Sequence, residues 1–185
     1  MEANVAIFGG SFNPPHVAHV LAIVWVLTSE DVDQVMVVPT FRHPFAKALA
    51  PFEDRVRMCE LAVGWIPGVA VSRVEEQLGG DSRTLHTLEH LAALHPDWRM
   101  RLVMGADLVL EADKWFRFDR VREIAPPLVL GRIGFDVDGA PGAVLPAVSS
   151  TDVRARIAEG RWGELSALVP RSVLRYVKEH RLYER

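Results

Sequence analysis

Short apolar runs alternate with longer amphipathic stretches along most of the chain. The first run, Asn4–Phe8, is rich in apolar residues, ends at two glycines and precedes a helical pattern that begins near His16. The same alternation predicts further strands at Gln34–Val38, Val69–Ser72, Arg101–Met104 and Pro127–Leu130. Apolar strands that alternate with helices indicate a parallel sheet covered by helices on both faces. The pattern therefore predicts an α/β fold.

Helical periodicity predicts the segments that connect these strands. In the first helix, Val17–Ser29, apolar residues cover every side, which predicts burial on several sides. In the second helix, Phe52–Gly64, the apolar residues share one side, and Cys59 lies among them. Further helices are predicted at Thr84–Leu94, Arg117–Ile124, Thr151–Glu159 and Pro170–His180, with a weaker one at Gly163–Leu168.

Composition then narrows the class of protein. A chain of 185 residues that is 49% hydrophobic can bury one core, so we expect a single domain over residues 1–185. Lys and Arg number 21 against 24 Asp and Glu, which leaves no basic field for a nucleic-acid partner. No apolar run approaches the roughly 20 residues of a membrane-spanning helix, so we expect no membrane partner. The single cysteine excludes an intrachain disulfide and fits a reducing cytoplasm.

The segment GGSFNPPHVAH, residues 9–19, is the first candidate site. It follows the first strand and opens the first helix, at the sheet edge where open α/β folds bind ligands. Its glycines permit close backbone approach, and the helix start offers N–H groups to an anion. His16 and His19 lie three residues apart, so both imidazoles point to one side. The segment matches neither G-x-G-x-x-G nor a P-loop. It predicts a phosphate site, the alternative being that both histidines only cap the helix.

The segment VSSTDVRARI, residues 148–157, is the second candidate site. Ser149, Ser150 and Thr151 come just before an amphipathic helix, and Arg154 lies about one turn inside it. Hydroxyl groups, helix N–H groups and a guanidinium together suit an anion. Alone, such a start is more often an ordinary helix cap. Its pairing with the first segment favours phosphate binding.

Together the two segments resemble the nucleotidyltransferase superfamily defined by H-x-G-H and S-S-T-x-x-R motifs, and within it the bacterial nicotinate mononucleotide adenylyltransferase family. The resemblance extends to SRTLHTLEHL at 82–91, GADLVLEADKW at 105–115, LGRIG at 130–134 and LVPRSVLRYVKEHRLY at 168–183. It implies a Rossmann-like fold and adenylyl transfer from ATP to nicotinate mononucleotide, which gives deamido-NAD and pyrophosphate in NAD biosynthesis. It also implies Mg²⁺ bound through the substrate phosphates, with no metal site on the protein.

The resemblance further implies roles for single residues. His16 and His19 would contact the ATP phosphates and stabilise the transition state. The implied ATP-binding residues are Gly9, Gly10, Ser11, Phe12, Ser150, Thr151 and Arg154. The implied mononucleotide-binding residues are Lys47, Arg83, Thr84, Asp107, Trp115 and Arg132, with Asp107 on a ribose and Trp115 on the pyridine ring. Structural alternatives stay open for four of these: a helix cap at Asp107, a core position at Trp115, and solvated cations at Lys47 and Arg132.

Three positions depart from the family pattern. Ala18 replaces the glycine of H-x-G-H and adds a methyl group beside the phosphate loop. Asn13 replaces a common aspartate, which removes a charge but keeps a hydrogen-bonding group. Arg83 stands where an aromatic residue is common, close to the implied place of the pyridine ring. We expect Arg83 to favour nicotinate over nicotinamide.

Other functions compete with this one. His86-Thr-Leu-Glu-His90 fits the H-x-x-E-H zinc pattern, but both histidines lie opposite the apolar side of their helix and no third ligand is indicated. The sequence also leaves open another acceptor, such as nicotinamide mononucleotide or phosphopantetheine, the use of CTP, and a noncatalytic nucleotide-binding protein. A homo-oligomer is left open by the apolar first helix and by Trp162.

Overall fold

The computed structural model describes residues 2–43, 48–111, 115–132 and 144–184, with the side chains of Arg132 and Val144 outside the described part. Its strands are β1 (Ala3–Gly10), β2 (Gln34–Pro39), β3 (Val69–Val71), β4 (Trp98–Gly105), β5 (Pro127–Arg132) and β6 (Val144–Leu145). Its helices are α1 (Val17–Ser29), α2 (Phe52–Val63), α3 (Val74–Leu78), α4 (Thr84–Leu94), α5 (Ala106–Val109), α6 (Phe118–Ile124), α7 (Ser150–Ala158) and α8 (Arg171–Glu179), with a 3₁₀ turn at Trp162–Leu165.

The described strands form one sheet in the order β3-β2-β1-β4-β5-β6, and all their pairings are parallel. This is the strand order of a doubly wound Rossmann fold. The predicted α/β fold, with a parallel sheet between two layers of helices, is confirmed.

The sheet separates two hydrophobic cores because successive side chains of a strand point to opposite faces. In β1, Ala6 faces the core formed with α1, α2, α7 and α8. Its neighbours Val5 and Ile7 face the core formed with α3, α4 and α6. In β4, Val103 and Leu102 divide between the two cores in the same way. The central strands β1 and β4 are therefore buried on both faces, which explains their largely apolar sequences.

The main strands and helices agree with the sequence prediction to within a few residues. Three short elements were missed: α3, α5 and β6. Each spans at most five residues, too few to show a period of apolar positions. The weak helix predicted at Gly163–Leu168 is a 3₁₀ turn at Trp162–Leu165.

The prediction that α1 is buried on several sides holds only in part. Its buried residues are Ala18, Ala22, Ile23 and Val26, and the partly buried Val20 and Leu27 also pack against the core. On the remaining side, Leu21 is 49% exposed and Val24 38% exposed. The core therefore covers more than one side of the helix but does not surround it.

Every helix in the described parts of the chain is too short or too polar to span a membrane.

Candidate active site

The candidate site lies at the carboxyl edge of the sheet, where β1 and β4 are neighbours. β1 ends at Gly10 and leads to α1 on one face, while β4 ends at Gly105 and leads toward α6 on the other. Connections that leave adjacent strands toward opposite faces open a crevice, and doubly wound folds bind ligands there. The fold therefore puts the loop after β1 and Asp107, which follows β4, on adjacent strand ends.

Gly10 and Phe12 shape the loop that follows β1. Phe12 is buried and has a φ of 44°, in the left-handed region. A Cβ added at Gly10 would come within 3.2 Å of the Phe12 ring, so the ring would have to shift to accommodate a side chain there. The same ring meets Phe8 at a centroid distance of 5.6 Å and His19 at 4.9 Å. A Cβ at Gly9 would meet nothing within 4 Å, so the loop is open at that residue.

His16 and His19 form a stacked pair at the start of α1. Their ring centroids lie 3.8 Å apart and their planes differ by 26°. The backbone N–H of His16 donates to Nδ1 of His19 over 3.1 Å. Because Nδ1 is the acceptor, the ring proton of neutral His19 is on Nε2. The histidines thus cap the helix, as the alternative expected, and this tautomer puts the ring N–H of His19 on Nε2.

The start of α7 is fastened to the loop after β1. Ser149 is the N-cap residue, and its side chain accepts from the backbone N–H of Asp152. Ser150, the first residue of the helix, donates from Oγ to the carbonyl of Pro14 over 2.8 Å. The first N–H groups of a helix have no acceptor within it, so those of Ser150 and Thr151 suit an anion. The two predicted phosphate segments therefore meet in space.

Arg154 makes the second contact between α7 and this loop. Its Nη1 donates to the carbonyl of Asn13 over 2.8 Å, and its Nη2 donates to Oγ1 of Thr151 over 3.2 Å. A guanidinium carries five N–H donors, and these two contacts use two of them. Arg154 is therefore held in place by neutral acceptors while its positive charge stays at the helix start.

The side chain of Asn13 joins the loop after β1 to two other parts of the chain. Asn13 is 1% exposed, and its Oδ1 accepts from the backbone N–H of Ala50 and from the hydroxyl of Tyr183. Burial raises the pKa of the Tyr183 hydroxyl, which keeps it a donor. The departure from aspartate is thus accommodated, because the amide oxygen accepts both hydrogen bonds.

The predicted mononucleotide residues Arg83 and Thr84 lie at the start of α4. The Arg83 guanidinium lies 4.8 Å from the ring centroid of Phe116, which directly follows Trp115. This contact joins the start of α4 to the segment that carries Trp115. Trp115 itself is half-buried and packs edge-on to Phe118, with centroids 5.8 Å apart. It is thus partly a core residue, as the structural alternative expected, with one part of its surface exposed.

A cavity of about 650 Å³ opens beside Trp115. Phe118, Arg117 and Arg122 also line it, and of the predicted site residues Trp115 alone is among its lining residues. A smaller cavity of about 230 Å³ is lined by Glu75, Ser82 and Arg83, among others. Neither cavity contains the histidines, which lie at the start of α1, where His16 is buried and His19 is half-buried.

Three predicted site residues remain: Asp107, Arg132 and Lys47. Asp107 lies in the first turn of α5, where a Cβ added to Gly105 would come within 2.5 Å of its Oδ1. Glycine at that strand end therefore makes room for the carboxylate. Arg132 ends β5, but its side chain lies outside the described part of the structure, and Lys47 lies outside the described residues altogether.

His86 and Cys59 lie where the helix patterns predicted, on the solvent side of α4 and in the core. His86 is exposed and lies against the ring of Phe116, with centroids 5.9 Å apart. Within the described ranges, no group of three His, Cys, Asp or Glu side chains is placed to hold a metal ion. Cys59 is buried in the core, and burial raises the pKa of its thiol.

Comparison with known proteins identifies the family. A family model described as Cytidylyltransferase-like matches residues 7–156. A protein of Anaeromyxobacter dehalogenans named probable nicotinate-nucleotide adenylyltransferase is 53% identical over 97% of this chain and 96% of its own length. The chain belongs to the nicotinate-nucleotide adenylyltransferase family. A relative of that name in Myxococcus xanthus is 40% identical over 97% of this chain and 94% of its own length.

Solved structures with the same fold also include members of the nicotinate-nucleotide adenylyltransferase family. A Plasmodium falciparum nicotinic acid mononucleotide adenylyltransferase complexed with NaAD superposes with a TM-score of 0.85 and covers 98% of this chain and 97% of that one, at 17% identity. A putative enzyme of Vibrio parahaemolyticus gives a TM-score of 0.75 and covers 99% and 96% of the two chains, at 20% identity. At such low identities these likenesses concern the fold.

Sequence reasoning missed Arg55, which lies beside the candidate site. Arg55 lies in α2, is 1% exposed and binds the loops that surround the candidate site. The available signal was its position four residues before Cys59, on the apolar side of the helix. An arginine in an apolar stripe requires buried acceptors, since an isolated buried charge is strongly unfavourable.

Proposed function

We propose that this chain transfers the adenylyl group of ATP to nicotinate mononucleotide and releases pyrophosphate. The observation that carries the proposal is the meeting of two anion-binding elements at one loop. His16 and His19 open the helix that follows this loop, and Ser150 and Arg154 bind its carbonyls from α7. Histidine donors, a helix start and a guanidinium together suit a polyphosphate.

The chemistry requires positioning and charge stabilisation. A phosphate oxygen of the mononucleotide attacks the α-phosphorus of ATP, a new P–O bond forms, and the bond to pyrophosphate breaks. Negative charge grows on the leaving pyrophosphate, so donors already in place lower the barrier. We assign this task to Nε2–H of His19 and to His16.

On the ATP side, we assign the β- and γ-phosphates to the start of α7. The backbone N–H groups of Ser150 and Thr151 and the guanidinium of Arg154 would hold them. The loop formed by residues 9–12 would approach the substrates through its backbone, since a Cβ at Gly9 meets open space.

On the mononucleotide side, the assignments follow the family pattern. Asp107 would accept from a ribose hydroxyl and Trp115 would stack on the pyridine ring. Thr84, Lys47 and Arg132 would lie near the mononucleotide. Arg83 would pair with the nicotinate carboxylate, since its guanidinium lies beside the segment that carries Trp115.

We assign Mg²⁺ to the substrate phosphates, so that the enzyme receives it as MgATP. We also propose a single nucleotidyltransferase domain and a cytoplasmic location, in keeping with the single buried thiol of Cys59.

Pyrophosphate release tests the proposed function. Nicotinate mononucleotide, nicotinamide mononucleotide and phosphopantetheine are each offered with MgATP, and nicotinate mononucleotide is also offered with MgCTP. The control is the His16→Ala, His19→Ala double variant, checked for folding by circular dichroism. We expect the fastest release with MgATP and nicotinate mononucleotide, and its loss in the double variant. Equal release by the folded double variant would remove the histidines from the mechanism. Release only with another acceptor, or with CTP, would reassign the substrates.

A further inference from the structure

Arg55 is a buried cation whose hydrogen-bond acceptors are backbone carbonyls of separate loops. Its Nε donates to the carbonyl of Ala50 over 2.9 Å. Its Nη1 donates to the carbonyls of Ser11 over 3.1 Å and Thr40 over 2.6 Å, and its Nη2 to that of Phe41 over 3.4 Å. One side chain on α2 therefore joins the loop after β1 to both ends of the segment between β2 and α2.

Glu75 is a buried anion that holds the same segment from the other side. Its Oε2 accepts from the backbone N–H of Phe41 over 2.9 Å, and its Oε1 accepts from the Thr87 hydroxyl over 3.3 Å. The Thr40 carbonyl and the Phe41 N–H belong to one peptide group. Arg55 thus binds the oxygen of this peptide group, and Glu75 binds its N–H.

The two charges also attract each other. Burial lowers the pKa of the Arg55 guanidinium, and the Glu75 carboxylate is among the groups that act against this shift. Burial likewise raises the pKa of Glu75, and hydrogen bonds from Ser82, Phe41 and Thr87, together with the charge of Arg55, act against it. Each charge therefore reduces the cost of burying the other.

The contacts of Arg55 and those of Glu75 lead to different halves of the candidate site. Ser11 lies in the loop that leads to His16, on the ATP side. Ser82, whose Oγ accepts from the backbone N–H groups of Phe41 and Arg42, directly precedes Arg83, on the mononucleotide side. The chain of contacts from Ser11 through Arg55 and Glu75 to Ser82 spans both halves.

We infer that Arg55 and Glu75 are positioning residues, which hold the ATP-binding loop and the start of α4 at the spacing that in-line adenylyl transfer requires. The inference rests on the proposed function. Neither side chain touches the reacting atoms, and both act through the Thr40–Phe41 peptide group. A shift of about 1 Å between reacting groups can reduce a rate about 100-fold, so a positioning role affects kcat more than either KM.

The test compares variants at Arg55 with a matched core variant of the same helix. Arg55→Lys keeps the positive charge but loses the planar fork that reaches several carbonyls at once. Arg55→Met removes the charge, and Glu75→Gln keeps an acceptor for Phe41 while removing the negative charge. The control, Val63→Ala, leaves a cavity at the buried far end of α2, away from the loops. The Tm of each full-length protein is measured first. Full steady-state kinetics and hydrogen exchange are then measured at a temperature below the lowest Tm.

We expect Arg55→Lys to lower kcat by about 10- to 100-fold with both KM values within about threefold. Hydrogen exchange in Arg55→Lys should rise in residues 9–15, 40–43 and 80–84. Val63→Ala should lower Tm by a similar amount without lowering kcat and without raising exchange in these three segments. Glu75→Gln should show a smaller fall in kcat. If Arg55→Lys and Val63→Ala keep the same kcat, the positioning role is wrong. If the parent protein is inactive but Arg55→Lys still loosens all three segments, the proposed function fails while the structural link stands. Unchanged exchange in Arg55→Lys overturns the inference whatever the activity.

Discussion

The rings of His16 and His19 stack with centroids 3.8 Å apart, while Nδ1 of His19 accepts the backbone N–H of His16. Nδ1 thus holds the start of α1, and the ring proton is on Nε2. We propose that Nε2–H donates to a phosphate oxygen of ATP during the reaction.

Two substitutions of His19 separate these tasks. In His19→Asn the amide oxygen takes the place of Nδ1 and no donor reaches the place of Nε2, so we expect a stable protein with kcat reduced about 10²- to 10³-fold. In His19→Gln the longer side chain brings an N–H donor near the place of Nε2, so we expect more activity but a lower Tm. Steady-state kinetics and thermal unfolding of both variants measure this. An active His19→Asn protein would show that Nε2–H is dispensable.

Asn13 and Tyr183 should be energetically coupled. Tyr183→Phe removes one donor to the buried Oδ1 of Asn13, and we expect a loss of about 0.5–1.5 kcal/mol in the free energy of unfolding. Asn13→Ala leaves both the Tyr183 hydroxyl and the Ala50 N–H without this acceptor, at a cost of about 1–3 kcal/mol for each donor.

A double-mutant cycle in urea measures the coupling. Once Asn13 is alanine, Tyr183→Phe should cost clearly less than in the parent protein, because its hydrogen bond is already lost. Losses that simply add would mean that the Asn13–Tyr183 contact contributes no stability.

Arg83 should set the preference between the two pyridine mononucleotides. Arg83→Ala removes the cation that we pair with the nicotinate carboxylate, so the ratio of kcat/KM for nicotinate over nicotinamide mononucleotide should fall about tenfold or more. Phe116→Leu is the matched control, since it removes the ring 4.8 Å from the guanidinium but keeps the charge. The control should keep the preference. If Arg83→Ala leaves the ratio unchanged, the nicotinate carboxylate is recognised elsewhere.

Glu75 should make stability depend on pH in a predictable direction. Burial raises its pKa above the ordinary value of 4.5, so the folded protein holds this proton more tightly than the unfolded chain. The stability that this proton contributes is fully present below pH 4.5 and is lost as pH rises through the raised pKa of the folded state.

Glu75→Gln removes this titration while keeping an acceptor for Phe41. The free energy of unfolding of Glu75→Gln relative to the parent should therefore increase as pH rises from about 4 to 8. Urea unfolding at several pH values measures this difference. A difference that does not change with pH would mean that Glu75 titrates alike in the folded and unfolded states.

The sequence alone was sufficient for the order of the main strands and helices and for locating the two segments that meet at the candidate site. β1, α1 and α2 follow from apolar periodicity, which is a property of neighbouring residues. The pairing of His16 with His19 is likewise local, because one helical turn separates them. Even the solvent side of α4 at His86 could be predicted from helix geometry.

Only the tertiary structure decided how distant segments meet. Ser150 binds Pro14 across 136 residues of sequence, and Tyr183 binds Asn13 across 170. Arg55 binds backbone carbonyls, which every residue carries. The sequence of the chain therefore could not indicate which loops would supply them. The exposure of Leu21 likewise depended on what packs against α1. Periodicity reports which side chains avoid water, whereas the partners of buried polar groups depend on how the loops come together at the edge of the sheet.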